Sequence, residues 1–325
     1  MKNSSPPISN DTTTLKAKTT YDSPVLTFDF PALHIGIAEY TEGPTGCTVF
    51  YFPDGVSAAV DLRGGAVGAM ETHYNWYEAI CFSGGSSYGL ESAVGVRAEL
   101  FAKRQYKVED MNFPNVSGAV IGDWSNRKNT IYPDKALGRA ALQAAQTGTF
   151  PLGRCGAGVS AHVGGWLSTP YVSEPAGQGG ASLQNGSAKL LAFTVVNASG
   201  VILNRQGEAV RGGFNQKMGK RYRVDEVVNV KPICPTESSN TTLTLIVTNV
   251  KMSETNLEQF AKQVHTSMAR AIYPFHTHFD GDILYAVTTN DEDLPEGLYP
   301  AGWGWLAGEV AWEAVLNCYA DELNP

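Results

Sequence analysis

The sequence predicts a layered domain that combines β-sheet with α-helices, of the α+β or α/β class. From Pro24 onward, short runs rich in β-branched and aromatic residues alternate with turns, which is the pattern of strands. Amphipathic or alanine-rich segments between these runs predict helices. No internal repeat and no obvious linker separates independently folding domains, and 325 residues are enough to bury one large core.

The first half is predicted to contain four strands and two helices. The strands are 25–30, 33–40, 47–52 and 56–62. A buried run over 78–85 ends in glycines and leads into a helix over 88–104. A second helix over 133–146 begins with Pro133 and is dense in alanine, and both features favour a helix. Residues 153–165 are too rich in glycine for a regular element.

The second half is predicted to contain four more strands and two more helices. The strands are 188–197, 200–204, 241–250 and 282–289, and the helices are 255–272 and 306–320. Polar, glycine-rich stretches predict loops over 167–187 and 205–222, and the turn-rich stretch 231–240 predicts a linker. Thr255 and Glu258 have the spacing of a capping box at the start of the first of these helices.

Composition excludes several classes of protein. A net charge of −8 and a pI near 5.3 argue against a nucleic-acid binder, which needs a basic face. No apolar run reaches the roughly 20 residues of a membrane span. Residues 1–24 are polar without the apolar core of a signal peptide, and we expect a disordered arm. Five widely spaced cysteines without a CxxC pair fit a reducing, cytoplasmic location.

The segment HTHFDGD raises the question of a metal site, because His276, His278, Asp280 and Asp282 alternate along it. On an extended chain, alternate side chains point to one face, and imidazoles with carboxylates are metal ligands. Side chains along one strand fan out, however, and the alternative is a solvated turn. We expect no metal.

A second candidate lies where the predicted linker meets strand 241–250. If the Asn240–Thr241 bond were cut, Thr241 would have a free α-amine beside its own hydroxyl. An α-amine has a pKa of about 7.7–8.0, close to the pH at which a general base works best. Nucleophile and base would then belong to one residue. The alternative is an ordinary strand that begins with threonine.

Nine stretches of the sequence match the motifs of one known family. In the first half they are EGPTG (42–46), DLRGGAVG (61–68), SYGLE (87–91), YPDKALGRAAL (132–142) and GAG (156–158). In the last quarter they are NTTLTLIVTNVKMS (240–253), LEQFAKQVHTSM (257–268), PFHTHFDGD (274–282) and YAVTTNDEDLP (285–295). With them the chain, from about Leu26 to the closing helix, resembles the self-processing N-terminal-nucleophile hydrolases of the L-aminopeptidase/D-Ala-esterase/amidase family. The long runs around Asn240 and Asp280 are typical of its nylon-hydrolase branch.

This resemblance implies both a fold and an activity. The fold is a four-layer αββα sandwich, one compact domain made of a large fragment (25–240) and a small fragment (241–325). The activity is hydrolysis of amide bonds in 6-aminohexanoate oligomers and polyamide, a small-molecule or polymeric substrate, without a cofactor. The implied assembly is a homo-oligomer, a tetramer of processed protomers, with no nucleic-acid or membrane partner.

The resemblance also implies roles for single residues. Thr241 matches the nucleophile that appears when the precursor cleaves itself after Asn240. Asp280 and Asp282 match two acidic residues that hydrogen-bond the hydroxyl and the amine of that nucleophile. Asn197 matches an asparagine that polarises the scissile carbonyl, which is a familiar way to stabilise a developing oxyanion.

The chain departs from the family pattern at two positions. Gly165 stands where many members carry a lysine, and Gly122 stands where many carry a tyrosine; both side chains are thought to help processing or to line the catalytic centre. Ser86 and Tyr88, in SSYGLE, are candidates for the substrate pocket, and Tyr88 is a candidate for the lost donor.

Two alternatives to this function stay open at the level of sequence. One is an aminopeptidase of the same family, including one that acts on β-amino acids, which needs an acidic group to hold the free amine of its substrate. The other is an unprocessed homologue without catalytic activity, which the two missing side chains favour.

Overall fold

The computed structural model describes residues 8–108, 113–124, 127–167, 169–227 and 240–322 of the 325. Within these ranges the α-helices are α1 (Glu91–Lys103), α2 (Lys135–Gln143), α3 (Val224–Val227), α4 (Glu254–Ser267) and α5 (Pro300–Leu316). The strands are β1 (Ala17–Lys18), β2 (Val25–Thr27), β3 (His34–Tyr40), β4 (Thr45–Leu62), β5 (Ala69–Met70), β6 (Trp76–Ser83), β7 (Val116–Val120), β8 (Gln146–Thr147), β9 (Thr149–Pro151), β10 (His162–Val163), β11 (Tyr171–Val172), β12 (Glu174–Pro175), β13 (Gln178–Asn185), β14 (Ala188–Asn197), β15 (Val201–Leu203), β16 (Ala209–Arg211), β17 (Phe214–Asn215), β18 (Lys220–Arg221), β19 (Thr241–Val250), β20 (Ile272–Tyr273) and β21 (Ile283–Glu292).

The main sheet has the strand order β13-β14-β19-β21-β4-β6-β7-β5, and β3, with β1 and β8, pairs beside β4. Strand β4 joins its two halves. Its first part pairs with β3, its last part pairs with β21, and the register with β6 shifts between Tyr51 and Val56. A bulge of this kind bends a strand and increases its twist, so one long strand takes part in two layers.

Three apolar clusters separate four layers. Between the two halves of the sheet, Phe50 lies 5.3 Å from Phe193, and Phe82 lies 5.9 Å from Tyr285, measured between ring centroids. A second cluster packs α1 and α2 against β3, β4 and β6. A third packs α4 and α5 against β13, β14 and β19. The layers therefore follow the order helix, sheet, sheet, helix, which is the αββα sandwich that the resemblance implied.

Strand β19 lies near the middle of one sheet half, and all ten of its residues are buried. Leu243, Leu245 and Val247 face the other half of the sheet, whereas Ile246 and Val250 face the helices α4 and α5. A strand covered on both faces reads as a continuous apolar and β-branched run. The sequence TTLTLIVTNV has that composition, and the strand begins at Thr241 as predicted.

Several predicted boundaries differ from the structure. Helix α4 is capped by Ser253, whose hydroxyl accepts from the Asn256 amide, so Thr255 and Glu258 do not form the predicted capping box. Helix α5 begins at Pro300, six residues before its predicted start. The stretches predicted as loops contain short strands, β11–β13 in one and β16–β18 in the other. Most of the predicted linker lies outside the described residues.

Residues 8–24, expected to be a disordered arm, contact the body of the domain. The Asn10 side chain donates to the Tyr132 carbonyl and to Asp134, and it accepts from the Tyr132 amide. Strand β1 then pairs with β3. Residues 1–7 lie outside the described ranges. None of the described helices combines the length and apolarity needed to cross a membrane.

Candidate active site

Thr241 is the first residue of β19 and is only 2% exposed. It stands opposite Asn197, the last residue of the antiparallel neighbour β14. Its hydroxyl donates to the carbonyl oxygen of Asn240 at 2.5 Å. The proposed nucleophile therefore lies against the carbonyl that it would attack.

The Asn240 carbonyl is held from a second side by the main chain. The Gly281 amide donates to its oxygen at 2.7 Å. The Asn240 amide in turn donates to the Phe279 carbonyl, and its side chain donates to the Ser199 hydroxyl at 2.8 Å. These contacts fix the peptide bond between Asn240 and Thr241 at the edge where β14, β19 and β21 come together.

Gly281 lies so close to Thr241 that no side chain fits there. A Cβ atom at this position would lie 2.7 Å from the Thr241 hydroxyl oxygen and 2.7 Å from the Ala66 carbonyl oxygen. Gly281 was not among the residues predicted from the sequence, because its place between two acidic residues does not show that its backbone amide is used.

Asp280 is buried and joins the site to two neighbouring segments. One carboxylate oxygen accepts from the Ser199 amide at 3.1 Å. The other accepts from the amide and the hydroxyl of Thr277, at 3.1 and 2.5 Å. Through Ser199, Asp280 also orients the hydroxyl that accepts from Asn240.

Asp282 is fully buried and bonds to the peptide next to the nucleophile. Its Oδ1 accepts from the Thr242 amide at 2.7 Å, and its Oδ2 lies 3.0 Å from both the amide and Nδ1 of His276. Burial raises the pKa of this carboxyl, the charge of Asp280 adds to the rise, and the bonds from His276 and Thr242 oppose it. In the uncut chain Asp282 thus bonds to the Thr242 amide and Asp280 to Ser199 and Thr277, whereas the resemblance implied bonds to the hydroxyl and amine of Thr241.

The RGG motif explains how this acidic loop is held. The Gly64 amide donates to the Asp282 carbonyl at 3.2 Å, and the Ala66 amide donates to the Asp280 carbonyl at 2.9 Å. A Cβ atom on Gly64 would lie 2.2 Å from the Asp280 carbonyl oxygen. Glycine is therefore required for the backbone of this motif to pack on the loop.

Asn197 uses its side-chain amide to bring further segments to the site. Its Oδ1 accepts from the His162 amide at 3.0 Å, and its Nδ2 donates to the Gly122 carbonyl at 3.2 Å. An amide nitrogen has two N–H donors, so one remains after the bond to Gly122. Gly165 also belongs to a neighbouring segment, since the amides on either side of it, Gly164 and Trp166, donate to carbonyls of residues 198–200.

Ser86 and Tyr88 lie beside the Gly122 segment. The Ser86 amide donates to the Ile121 carbonyl at 2.9 Å. Tyr88 is 66% exposed, and its ring lies 6.3 Å from that of Trp124 and 5.8 Å from that of Tyr132. These rings line a cavity of about 400 Å³, together with Ser9, Asn10, Asp11 and Thr130.

The structure does not place the four residues of the suggested metal patch on one face, although His276 and Asp282 stay hydrogen-bonded to each other. His276 has a φ of 57°, residues 277–279 turn away, and β21 starts only at Ile283, so the segment is not an extended strand. His278 is exposed, whereas Asp280 and Asp282 are buried. Among the described residues no group of three or more His, Cys, Asp or Glu side chains is arranged to hold a metal ion.

A buried histidine, His265, stands next to the half-buried His276 of this loop. Nδ1 of His265, on α4, lies 2.9 Å from the Asp61 carboxylate, which also accepts from Arg63. The His265 ring meets the His276 ring edge to face, with centroids 4.4 Å apart. Burial is the main reason that the pKa of His265 falls to about 4. His265 and Asp61 were not among the site residues predicted from the sequence.

Comparison with known proteins gives the family. The sequence profile of peptidase family S58 matches residues 27–322. The chain is 47% identical over 310 residues to 6-aminohexanoate-oligomer endohydrolase of Agromyces sp. (strain KY5R), covering 90% of this chain and 85% of that protein. It is 46% identical over 310 residues to the protein of the same name from Paenarthrobacter ureafaciens, with the same coverage.

Solved structures support the fold. The L-aminopeptidase D-Ala-esterase/amidase of Ochrobactrum anthropi, described as a variant of the Ntn-hydrolase fold, superposes with a TM-score of 0.65 at 16% identity, covering 92% of this chain and 88% of that one. A β-aminopeptidase of Burkholderia sp. gives 0.62 at 19% identity, covering 89% and 84%. The expected fold class is confirmed, and with a profile match over nearly its whole length the chain belongs to peptidase family S58.

Proposed function

We propose that the chain cleaves itself between Asn240 and Thr241 and then hydrolyses amide bonds of 6-aminohexanoate oligomers and polyamide through an acyl-enzyme on Thr241. One observation carries this proposal: the Thr241 hydroxyl and the Gly281 amide both contact the Asn240 carbonyl oxygen. The names of the relatives at 46–47% identity support the substrate class.

In the first reaction, the Thr241 oxygen attacks the Asn240 carbonyl carbon. The carbonyl oxygen gains negative charge, and the Gly281 N–H already donates to that oxygen, as an oxyanion donor must. The C–N bond breaks, the hydroxyl proton ends on the leaving nitrogen, and an ester links Asn240 to Thr241. Water then hydrolyses the ester, leaving a carboxylate on Asn240 and a free amine on Thr241.

In the second reaction, the Thr241 amine takes the proton of its own hydroxyl while the oxygen attacks a substrate amide. The remaining N–H of Asn197 Nδ2 and the N–H of Gly281 donate to the oxyanion. The amine passes its proton to the leaving nitrogen of the substrate, and water releases the acyl group. The oxyanion is thus stabilised by the Gly281 main-chain amide and the Asn197 side-chain amide. The tyrosine and lysine that many family members carry are replaced here by Gly122 and Gly165.

The aromatic cavity is the place where we propose that the substrate chain binds. Trp124 is two residues from Gly122, so their Cα atoms are at most about 7.6 Å apart, and Gly122 contacts Asn197 directly. The rings of Tyr88 and Trp124 offer apolar surface to an alkyl chain. Ser86 belongs to the same short helical segment as Tyr88, Ser86–Leu90. Asp11, an exposed residue of the cavity lining, suits a terminal ammonium group.

The deciding experiment is intact-mass measurement with N-terminal sequencing of purified protein. We expect a new N-terminus at Thr241 and a fragment of 85 residues, 241–325. Thr241→Ala should stay whole and inactive. Thr242→Val is the matched control, since the Thr242 hydroxyl is buried without a hydrogen-bond partner in the described structure. A Thr241→Ala protein that still splits after Asn240 overturns the proposal.

A substrate with a blocked N-terminus separates endo-hydrolysis from aminopeptidase activity. We expect a blocked 6-aminohexanoate oligomer to be cleaved internally, because the relatives at 46–47% identity are named endohydrolases. Loss of all cleavage on blocking would identify an aminopeptidase. A wild-type chain that stays at 35 kDa without amide-cleaving activity would identify an unprocessed homologue.

We further propose a cytoplasmic location. The four cysteines in the described ranges, Cys47, Cys81, Cys155 and Cys318, are buried thiols and not disulfides, which suits a reducing compartment.

A further inference from the structure

Two aspartate–histidine pairs meet in the interior next to the proposed nucleophile. Asp61 and Asp282 each lie within about 3 Å of Nδ1 of a histidine, His265 and His276 respectively. A carboxylate only accepts hydrogen bonds, so each Nδ1 carries the proton and donates. Both Nε2 atoms are buried without a hydrogen-bond partner among the described residues.

Burying two ring nitrogens without partners costs free energy, which other contacts of the two histidines must offset. These contacts are made by the Nδ1 atoms, and that of His276 lies on the side of the nucleophile. His276 offers Asp282 two donors, its backbone amide and Nδ1, and both go to Oδ2. The other oxygen, Oδ1, is thereby left for the Thr242 amide, which belongs to the first peptide of β19.

The backbone of His276 is also adapted to this contact. Its φ of 57° lies in the left-handed region, which is uncommon for residues other than glycine, although asparagine, aspartate and histidine are enriched there. A residue held there needs support from its surroundings. The His265 ring, 4.4 Å away at an interplanar angle of 83°, packs against His276 and is itself fixed by Asp61.

We infer that His276 is a positioning residue for the Thr241 nucleophile, acting through Asp282. Its two donors hold the carboxylate so that Oδ1 fixes the peptide between Thr241 and Thr242, and His265 with Asp61 holds the His276 ring in place. This inference rests on the proposed function. The titratable groups in contact with His276 are Asp282, which accepts from it, and His265 of α4, which packs on its ring. Asp280 acts on the same carboxylate, and Asp61 and Arg63 act on His265.

Two substitutions at His276 separate hydrogen bonding from packing. His276→Asn keeps an N–H donor near the place of Nδ1 and tolerates a positive φ. His276→Gly also tolerates this φ but has no side-chain donor. A hydrogen bond to a charged group corresponds to about a tenfold to hundredfold effect. We expect processing to slow by that factor in His276→Gly and to stay within about threefold of wild type in His276→Asn.

The pH profile gives a readout that a merely structural role would not move. The bond from His276 lowers the pKa of the Asp282 carboxyl. Its loss in His276→Gly should move the acid limb of processing, and of kcat/KM on an oligomer, to higher pH, whereas His276→Asn should keep the wild-type limb. Equal rates and equal profiles for wild type and His276→Gly overturn the inference, as does a His276→Asn variant that is as impaired as His276→Gly.

A measurement without substitution at position 276 covers the case in which the glycine variant does not fold. Nitrogen-15 NMR of the uncut Thr241→Ala protein at neutral pH should show His276 with its proton on Nδ1, and a proton on Nε2 would overturn the inference. The outcomes stay separable from failure of the proposed function. If wild type forms no N-terminus at Thr241, the proposed function fails; if it does and the two His276 variants behave alike, only this inference fails.

Discussion

At the scale of single residues, Thr241 and Gly281 approach the Asn240 carbonyl from different parts of the chain. The first belongs to the strand that follows the carbonyl, and the second to a loop 40 residues later. Their meeting depends on the parallel pairing of β19 with β21, which starts beside this point. The Thr241 hydroxyl could be predicted as part of the site from the Asn240–Thr241 junction. The Gly281 amide could not, because a backbone N–H donor leaves no signature in the residue types.

Gly281→Ala should block self-cleavage. Its Cβ would lie 2.7 Å from the Thr241 hydroxyl oxygen, so the hydroxyl or the loop must shift, and a misplacement of about 1 Å costs roughly a hundredfold in rate. The fraction of cut chain on a denaturing gel over time measures this. Gly302→Ala on α5 is the control, since its nearest atom would lie at an ordinary 3.6 Å. Equal cutting in both variants would contradict the prediction.

The buried His265 should make the fold sensitive to mild acid. Its pKa is about 4 in the fold against about 6.5 when unfolded, so between these values the unfolded chain binds a proton that the fold excludes. The free energy of unfolding should fall as pH drops through this window, by at most about 1.4 kcal/mol per pH unit.

Urea midpoints at pH 7.5 and pH 5 test this expectation. His265→Asn keeps a donor for Asp61 but has no ring to titrate, so it should lose less stability than wild type on acidification. Identical losses in the two proteins would show that His265 does not contribute.

At the scale of secondary-structure elements, the segment after β7 carries Gly122 to Asn197 and Trp124 to the cavity. Between them, Asp123 accepts from the Gly85 amide and pairs with Arg127 at 2.7 Å. Both charged side chains are almost wholly buried, and Arg127 also donates to the Ile131 carbonyl. This ion pair ties the glycine turn before α1 to the segment that lines the cavity.

Arg127→Met should destabilise the protein by about 3–5 kcal/mol, because it leaves the Asp123 carboxylate buried without its cation. Chemical denaturation of the uncut Thr241→Ala background measures the change. The control is Arg223→Met. Arg223 pairs with Asp225 at the surface, and an exposed ion pair contributes about 0–1 kcal/mol. A loss no larger than that of the control would count against a structural role for the buried pair.

Trp124→Ala should weaken substrate binding without affecting self-cleavage. Removing a ring from the cavity takes away apolar contact with the substrate, and we expect KM for an oligomer to rise about tenfold while kcat changes less. Trp305→Ala is the control, since Trp305 is an exposed tryptophan on α5. If KM is unchanged, the cavity does not bind the substrate.

The elements that sequence could predict are those with strong local patterns. Strand β19 and helix α4 have long apolar runs with the expected periodicity, and their positions were predicted within a few residues. Strand β13 lies in a stretch that the sequence predicts as a loop, because Gln178, Gly179 and Gly180 are not typical strand residues. These small residues are required by packing: a Cβ at Gly179 would lie 1.9 Å from the Ala314 carbonyl oxygen of α5. Contacts of that kind come from the tertiary fold and cannot be read locally.

At the scale of the whole molecule, the two expected fragments share one sheet. Strands β19 and β21 belong to residues 241–325, but they lie between β14 and β4 of the preceding part. The small part carries three basic and twelve acidic residues, a balance of −9, whereas residues 1–240 carry +1. Ladder bonds on both flanks, and two apolar clusters, hold the parts together after a cut.

Processed protein should therefore migrate as one species under native conditions and as two chains under denaturing conditions. We also expect a homo-oligomer, a tetramer of processed protomers, and native mass spectrometry measures both points at once. Thr241→Ala gives the unprocessed reference. Release of a free 85-residue chain without denaturant would contradict the shared sheet, and a monomeric mass would contradict the expected assembly.

The placement of the scissile carbonyl has a consequence for quality control. Asn240, Thr241 and Gly281 come together only when β19 has paired with β21 and the acidic loop has docked on the RGG segment. A misfolded chain does not assemble this contact and so never acquires its own nucleophile. On the proposed mechanism, only molecules that have folded correctly become active. The proportion of cut chain in a preparation then measures the fraction of the protein that reached the native state.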